Sequence, residues 1–208
     1  MTLYSVTDNT IEEKQWAWAW TALPDLATIS KRCDVCNRGR LYPSRYPERT
    51  LEAEVEDGTS YPDILGCGSY SFFIISEATL LNLQMYSVES FQAFPLNIIQ
   101  ATGSIIETVT PPRYHHLKIA VGCEVDFPAM GVSVLEHCPK CYSTRFDPLH
   151  DFDYSSDIDL IIKEKSLRGY DLFVSEFLPC VPICTSRFKE IVEQSHGTNF
   201  EFTRISTS

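Results

Sequence analysis

An α+β fold in one unit, built mainly on antiparallel sheet, is predicted for residues 1–208 by three observations. Short apolar or alternating runs recur along the chain between prolines and polar turns. Two of these runs lead directly into a serine followed by a helical apolar pattern. Twelve prolines and nine glycines are scattered, and no low-complexity linker marks a domain boundary. A hydrophobic fraction of 44% is enough for an ordinary core, and 12% aromatics excludes a disordered chain.

The elements follow in order. Residues 3–6 read as the first strand. The segment QWAWAW sets Trp16, Trp18 and Trp20 at a period of two, on one face of a strand. Such a stripe of indoles reads as core. Pro43 and Pro47 mark loop, and the acidic residues between 48 and 63 (Glu48, Glu52, Glu54, Glu56, Asp57, Asp63) read as a solvated strand or loop. Residues 70–75, YSFFII, form a buried strand. Ser76 then caps a helix with Glu77 in its first turn and Ala78, Leu81 and Met85 on one face. Residues 91–96, 105–109 and 117–125 read as further strands. The order returns near the end: strand 181–184, a Ser186-capped helix carrying Phe188, Ile191 and Val192, Gly197 beyond its end, and strand 200–205. IISEATLLNLQ aligns with ICTSRFKEIVEQ, and FQAFPL with FEFTRI, at an offset of 109 or 110. This predicts two strand–helix–strand pseudo-repeats, at about 70–96 and 181–205.

The net charge is -11, which opposes a phosphate backbone and argues against nucleic-acid binding. It favours solubility and encounter with a basic protein. No run of eighteen apolar residues is present to span a membrane, and residues 1–16 lack the basic and apolar regions of a signal peptide. A cytoplasmic protein with reduced thiols is the expectation.

Eight cysteines include two C-x-x-C pairs, CDVC at 33–36 and CPKC at 138–141. Each pair can form a knuckle that aims two sulfurs at one ion, and two knuckles give the tetrahedral four-thiolate shell of structural zinc. Lys31, Arg32, Arg38 and Arg40 flank the first pair, and Lys140 and Arg145 the second, offsetting the negative charge of the thiolates. His137 is placed as an alternative ligand or a donor to one. The pairs are separated by residues 37 to 137, whereas ribbon sites space theirs ~15–20 residues apart. Two unrelated thiol pairs, or a redox motif, are the competing readings, but neither pair is followed by the helical pattern that redox use needs. Cys67, Cys123, Cys180 and Cys184 read as small buried hydrophobes. The chain lacks H-x-E, H-E-x-x-H, G-x-S-x-G and a phosphate-binding glycine loop, so an enzyme is not expected. His115 and His116 read as exposed loop histidines. The aspartates at 147–159 lack the glycine and spacing of a calcium loop.

Several segments together resemble the bacterial double-CXXCG-motif immunity proteins of polymorphic toxin systems. Trp20 with Leu23 and Pro24 is similar to the family's W-x-L-P lead-in, and Tyr42, Pro43 and Ser44 to its Y-P-S segment. GCGSYSFFIISEATLLNLQ resembles the middle strand and helix, and DLFVSEFLPCVPICTSRFKEIVEQSHGTNFEFTRI the end. The glycine that follows each pair in the family is Asn37 and Tyr142 here. Asn accepts a left-handed backbone and Tyr resists it, which predicts a distorted second knuckle. The resemblance implies a cytoplasmic protein without catalytic activity that binds and neutralises a cognate toxin, with zinc on Cys33, Cys36, Cys138 and Cys141. The carboxylates at 48–63 and the aspartates at 147–159 are the candidate partner surfaces, and an acidic contact through Asp151, Asp153 and Asp157 of the second run is the expected one. A zinc-ribbon regulator or adaptor, and a zinc-dependent enzyme, are the alternative functions; four thiolates leave an enzyme no open metal position.

Overall fold

A computed structural model describes residues 1–8, 15–21, 33–37, 47–56, 58–67, 72–103, 106–140, 144–147, 160–175 and 178–208. It is α+β. The strands are β1 (Leu3–Asp8), β2 (Trp18–Thr21), β3 (Leu51–Glu56), β4 (Ile64–Cys67), β5 (Phe73–Ser76), β6 (Phe91–Thr102), β7 (Tyr114–Ile119) and β8 (Val121–Cys123). They continue with β9 (Ser133–His137), β10 (Thr144–Asp147), β11 (Ile161–Ile162), β12 (Leu172–Ser175), β13 (Leu178–Thr185) and β14 (Phe200–Thr207). Helix α1 (Glu77–Met85) follows β5, and α2 (Ser186–Gln194) follows β13.

Six strands close into a barrel in the order β2-β3-β6-β7-β5-β4, and six form a sheet in the order β11-β14-β1-β13-β12-β8. The two have the same pairing pattern. Antiparallel β4–β5 matches β12–β13, and the run β5–β7–β6 matches β13–β1–β14. Parallel β3–β6 matches β11–β14, and parallel β2–β4 matches β8–β12. Strand β1, from the start of the chain, thus takes in the sheet the place that β7 takes in the barrel. The registers agree as well: Leu96 faces Tyr114 and Phe91 faces Ile119, while Ile205 faces Leu3 and Phe200 faces Asp8. Just past β8, an antiparallel bridge joins Val125 to Ile162 of β11, so the edges of the sheet also meet.

Burial follows from period-two alternation. On β3, Leu51, Ala53 and Val55 turn into the barrel while Glu52 and Glu54 turn out. A second apolar cluster fills the space bounded by the sheet, including Leu3, Ile162, Phe173, Ile183 and Ile205. A third lies where the helices pack, and it draws on both halves: Ile64, Ile75, Leu83 and Leu117 with Leu172, Cys184, Val192 and Val6.

Five expectations are corrected. The alanines of QWAWAW, not the indoles, face the core: Ala17 and Ala19 are fully buried and Trp18 is half-buried. The period is as expected but the face is reversed: Ala17, Ala19 and Ala53 pack in the barrel's apolar interior with larger side chains such as Leu51, Leu65 and Tyr114. The side chain of Trp20 lies outside the described residues. On α1 the buried residues are Thr79, Leu80 and Leu83, and Leu81 and Met85 are exposed. That helix is apolar on several sides, so its sequence does not choose a face. Residues 106–108 form a 3-10 turn rather than a strand. Residues 115 and 116 belong to β7, and His116 is fully buried. The cap of α2 is Thr185, one residue before Ser186; its hydroxyl accepts from Phe188 N.

No helix among the described residues is long and apolar enough to cross a membrane.

Candidate metal centre

The two cysteine pairs arise at matching points of the two halves. CDVC lies in the connection from β2 to β3, and CPKC in the connection from β8 to β11. The first is a tight turn: Asn37 N donates to Cys33 O at 2.7 Å. Asn37 has φ 56, the left-handed conformation that its short amide side chain tolerates. This is the position where the resembled family has glycine. The second pair begins directly after β9, at the tip of the antiparallel β9–β10 hairpin. Cys141 and Tyr142 lie outside the described residues, and with them the expected distortion of that knuckle.

The described thiols converge. The Sγ atoms of Cys33, Cys36 and Cys138 all lie within 4.8 Å of one another. Cys33 Sγ and Cys138 Sγ are 3.7 Å apart, although 105 residues separate them in sequence. Two ligands on a tetrahedron of ~2.3 Å bonds stand about 3.8 Å apart, whereas a disulfide would bring them to about 2.0 Å. The spacing therefore fits two thiolates on one ion and not a bond between them. Cys33 and Cys138 are buried and Cys36 is partly covered, in a cluster separate from the three apolar cores. Across the gap between the knuckles, Lys140 Nζ meets Asp34 Oδ2 at 2.6 Å. Both groups are exposed, so this pair contributes ~0–1 kcal/mol of stability; its geometric effect is to tie one knuckle to the other. Three thiol sulfurs with this spacing can hold a metal ion, and among the described residues they are the group of metal-ligating side chains so placed.

Two other cysteines differ from these in kind. Burial pushes the Cys123 thiol up to about 12, and pushes Cys184 up as well. Both stay protonated in the apolar cores, as small hydrophobes. Cys67 is half-buried. The side chains of Cys180, His137 and Arg145, and residues Lys31, Arg32, Arg38 and Arg40, lie outside the described residues. So do Asp151, Asp153 and Asp157, the expected partner contact.

Sequence reasoning missed His116. Its ring stacks on Phe94 at 5.5 Å and meets Phe72 edge-on at 5.8 Å inside the barrel. Its Nε2 lies 2.8 Å from the Arg49 carbonyl, which makes that nitrogen the donor. Burial lowers its pKa to about 4 against the opposing effect of that hydrogen bond, so the ring is neutral at pH 7. The alternation of β7 was the available signal; the adjacent prolines at 111 and 112 obscured it.

Neither the protein-family models nor the curated proteins compared with this chain give a match.

Proposed function

We propose that this chain is a zinc-stapled immunity protein, one that binds a cognate bacterial toxin and neutralises it by covering it, in the cytoplasm and without catalysis of its own. The observation that carries the reading is the convergence of Cys33, Cys36 and Cys138 from two distant knuckles. Cys141, the partner of Cys138 in CPKC, is the fourth ligand. Zinc in a complete thiolate shell has no position left for substrate, so the metal stabilises and does not catalyse. The fold around it is read as two copies of one strand–helix–strand unit with one knuckle each. The constant offset of 109 between the registers of β6 and β14 supports that reading. The order of the resembling segments and the net charge of -11 add the toxin-binding role.

Two measurements test the proposal. Elemental analysis of the purified chain should find one zinc per molecule; a folded, metal-free protein refutes the staple. Co-expression with the toxin domain encoded beside this gene should protect the cell, and the two chains should elute as one complex. Loss of protection with intact, folded protein refutes the immunity role. Replacing Asp151, Asp153 and Asp157 together by Asn should slow association at low salt if those carboxylates guide capture.

A further inference from the structure

The metal centre brings together sulfurs that differ in access. Cys33 and Cys138 are 1% and 2% exposed, whereas Cys36 is only partly covered. All three Sγ atoms lie within 4.8 Å of one another. Cys33 Sγ and Cys138 Sγ, one from each knuckle, stand 3.7 Å apart. A disulfide needs about 2.0 Å, so an approach of roughly 1.7 Å separates this contact from a covalent bond.

Two features allow that approach. The second knuckle begins at the tip of β9–β10, a two-stranded sheet apart from the barrel and from the six-stranded sheet. Its tip can shift without breaking a strand pairing in either. The Lys140–Asp34 ion pair spans the knuckles on the outside and helps to keep them side by side once the metal leaves. Cys123 and Cys184, by contrast, sit in two different apolar cores and stay protonated, so neither competes in thiolate chemistry.

We propose that the centre is an oxidation-operated clasp: on exposure to hydrogen peroxide, Cys33 and Cys138 join in a reversible disulfide that links the two knuckles as the metal leaves. The inference rests on the metal centre proposed above. It is a stoichiometric response of the site and needs no helix behind either cysteine pair.

The step balances as follows. The Cys36 thiolate, the one that peroxide reaches, attacks an oxygen of the peroxide. The O–O bond breaks, hydroxide leaves, and Cys36 becomes a sulfenic acid. The Cys138 thiolate displaces hydroxide from that sulfur and forms a Cys36–Cys138 disulfide. Cys33 then attacks the Cys138 sulfur and releases Cys36 as thiolate. The two hydroxides take up two protons. In sum, two thiols and one peroxide give one disulfide and two waters; each sulfur loses one electron and the peroxide oxygens gain both. A thiol reductant reverses the change by exchange. The final bond lies between two buried sulfurs, which slows further exchange, and it closes a loop across the separation of 105 residues. Closing so long a loop restricts the unfolded chain, so the link takes over the metal's role of holding the knuckles together.

Trypsin cuts after Arg32, Arg38, Lys118 and Lys140, so Cys33 and Cys36 fall in peptide 33–38, Cys138 in 119–140, and Cys141 in a third. The test treats the full, zinc-loaded chain with hydrogen peroxide and blocks the remaining thiols. The digest is mapped without reductant while a chromogenic chelator follows zinc. The expected result is one zinc released per disulfide and peptides 33–38 and 119–140 joined, with fragmentation placing the bond at Cys33 and Cys138. Dithiothreitol should undo it. Cys36→Ser should slow the linkage roughly tenfold, because peroxide must then reach a buried sulfur. The oxidised chain should melt roughly 5–10 °C above a reduced chain stripped by chelator. Zinc release with a bond only inside 33–38, only between Cys138 and Cys141, or with no bond at all overturns the clasp and leaves the zinc staple standing. An oxidised chain that melts no higher than the reduced, stripped one overturns it too. A chain purified without zinc that still forms the Cys33–Cys138 bond refutes the staple and keeps the disulfide.

Discussion

At His116 a neutral imidazole is held inside the barrel, and its titration sets a pH dependence. Its folded pKa of about 4 lies below the ordinary value of 6.5, so the unfolded chain takes up the proton first as pH falls. The stability this site contributes is complete above pH 6.5 and is lost progressively between 6.5 and 4. The loss reaches about 3 kcal/mol at its limit, and about 2 kcal/mol at pH 5. Urea midpoints at pH 7 and pH 5 check this against His116→Gln, whose amide can still donate to the Arg49 carbonyl. The variant should lose about 2 kcal/mol less between the two pH values than wild type does. Cys138 supports a second expectation at this scale. If the knuckles hold zinc as proposed, Cys138→Ser should reduce it to well below one per chain. It should also lower stability by on the order of 4 kcal/mol when zinc exceeds its dissociation constant about a thousandfold. Metal analysis with a zinc-dependent melting series measures both. The cysteine pairs were legible in the sequence because each knuckle is a local turn. That the two knuckles meet was legible only as an expectation from thiolate chemistry; the 3.7 Å approach of Cys33 and Cys138 is a tertiary fact.

The two helices are ended by the same devices. Ser76 caps α1 and bonds Asp63, while Thr185 caps α2 and bonds Asp171. At the far end Val88 N reaches Leu83 O, and Ser87 takes φ 56; Gly197 N reaches Val192 O, and His196 takes φ 55. These are Schellman endings, with the left-handed residue at Ser87 and His196. Gly197 is needed one position later than a left-handed glycine would be, because a Cβ there would lie 2.8 Å from Val192 Cγ1. Among the connections, Gly58 combines φ +74 with no space: a Cβ would fall 2.5 Å from the Trp16 carbonyl carbon. Gly131 has φ +70 and open surroundings. Gly58→Ala should therefore cost more than Gly131→Ala, about 3 kcal/mol or more against about 1 kcal/mol. Denaturant unfolding of the two variants ranks them, and equal midpoints would contradict the packing argument.

At the scale of the molecule, the helix-packing cluster joins the barrel to the sheet through residues from both. Strand β1 is central to the sheet, paired to β13 and β14 on its two sides, and its Leu3 and Val6 are buried. Deleting residues 1–8 would take from β13 and β14 the neighbour that joins them and split the sheet in two, and it should abolish cooperative unfolding. Reattaching the same residues behind Ser208, through a flexible linker of about a dozen residues, mimics the connection from β6 to β7. If the halves are copies of one unit, that permuted chain folds with a single unfolding transition close to the parent's. A permutant as disrupted as the deletion would refute the equivalence of β1 and β7.

The sequence by itself determined the local features. Ser76 as a cap and the helical pattern of Phe188, Ile191 and Val192 on α2 follow from interactions within a few residues. Only the tertiary structure decided the rest. It turned Trp18 outward and the alanines inward, because barrel closure fixes how much side-chain volume the interior admits. It placed His116 inside, and it chose Leu80 and Leu83 over Leu81 and Met85 on a helix whose sequence is apolar on several sides. It brought together Cys33 and Cys138. A period tells which residues share a face; which face is buried depends on what packs against it, and that partner lies far away in the chain.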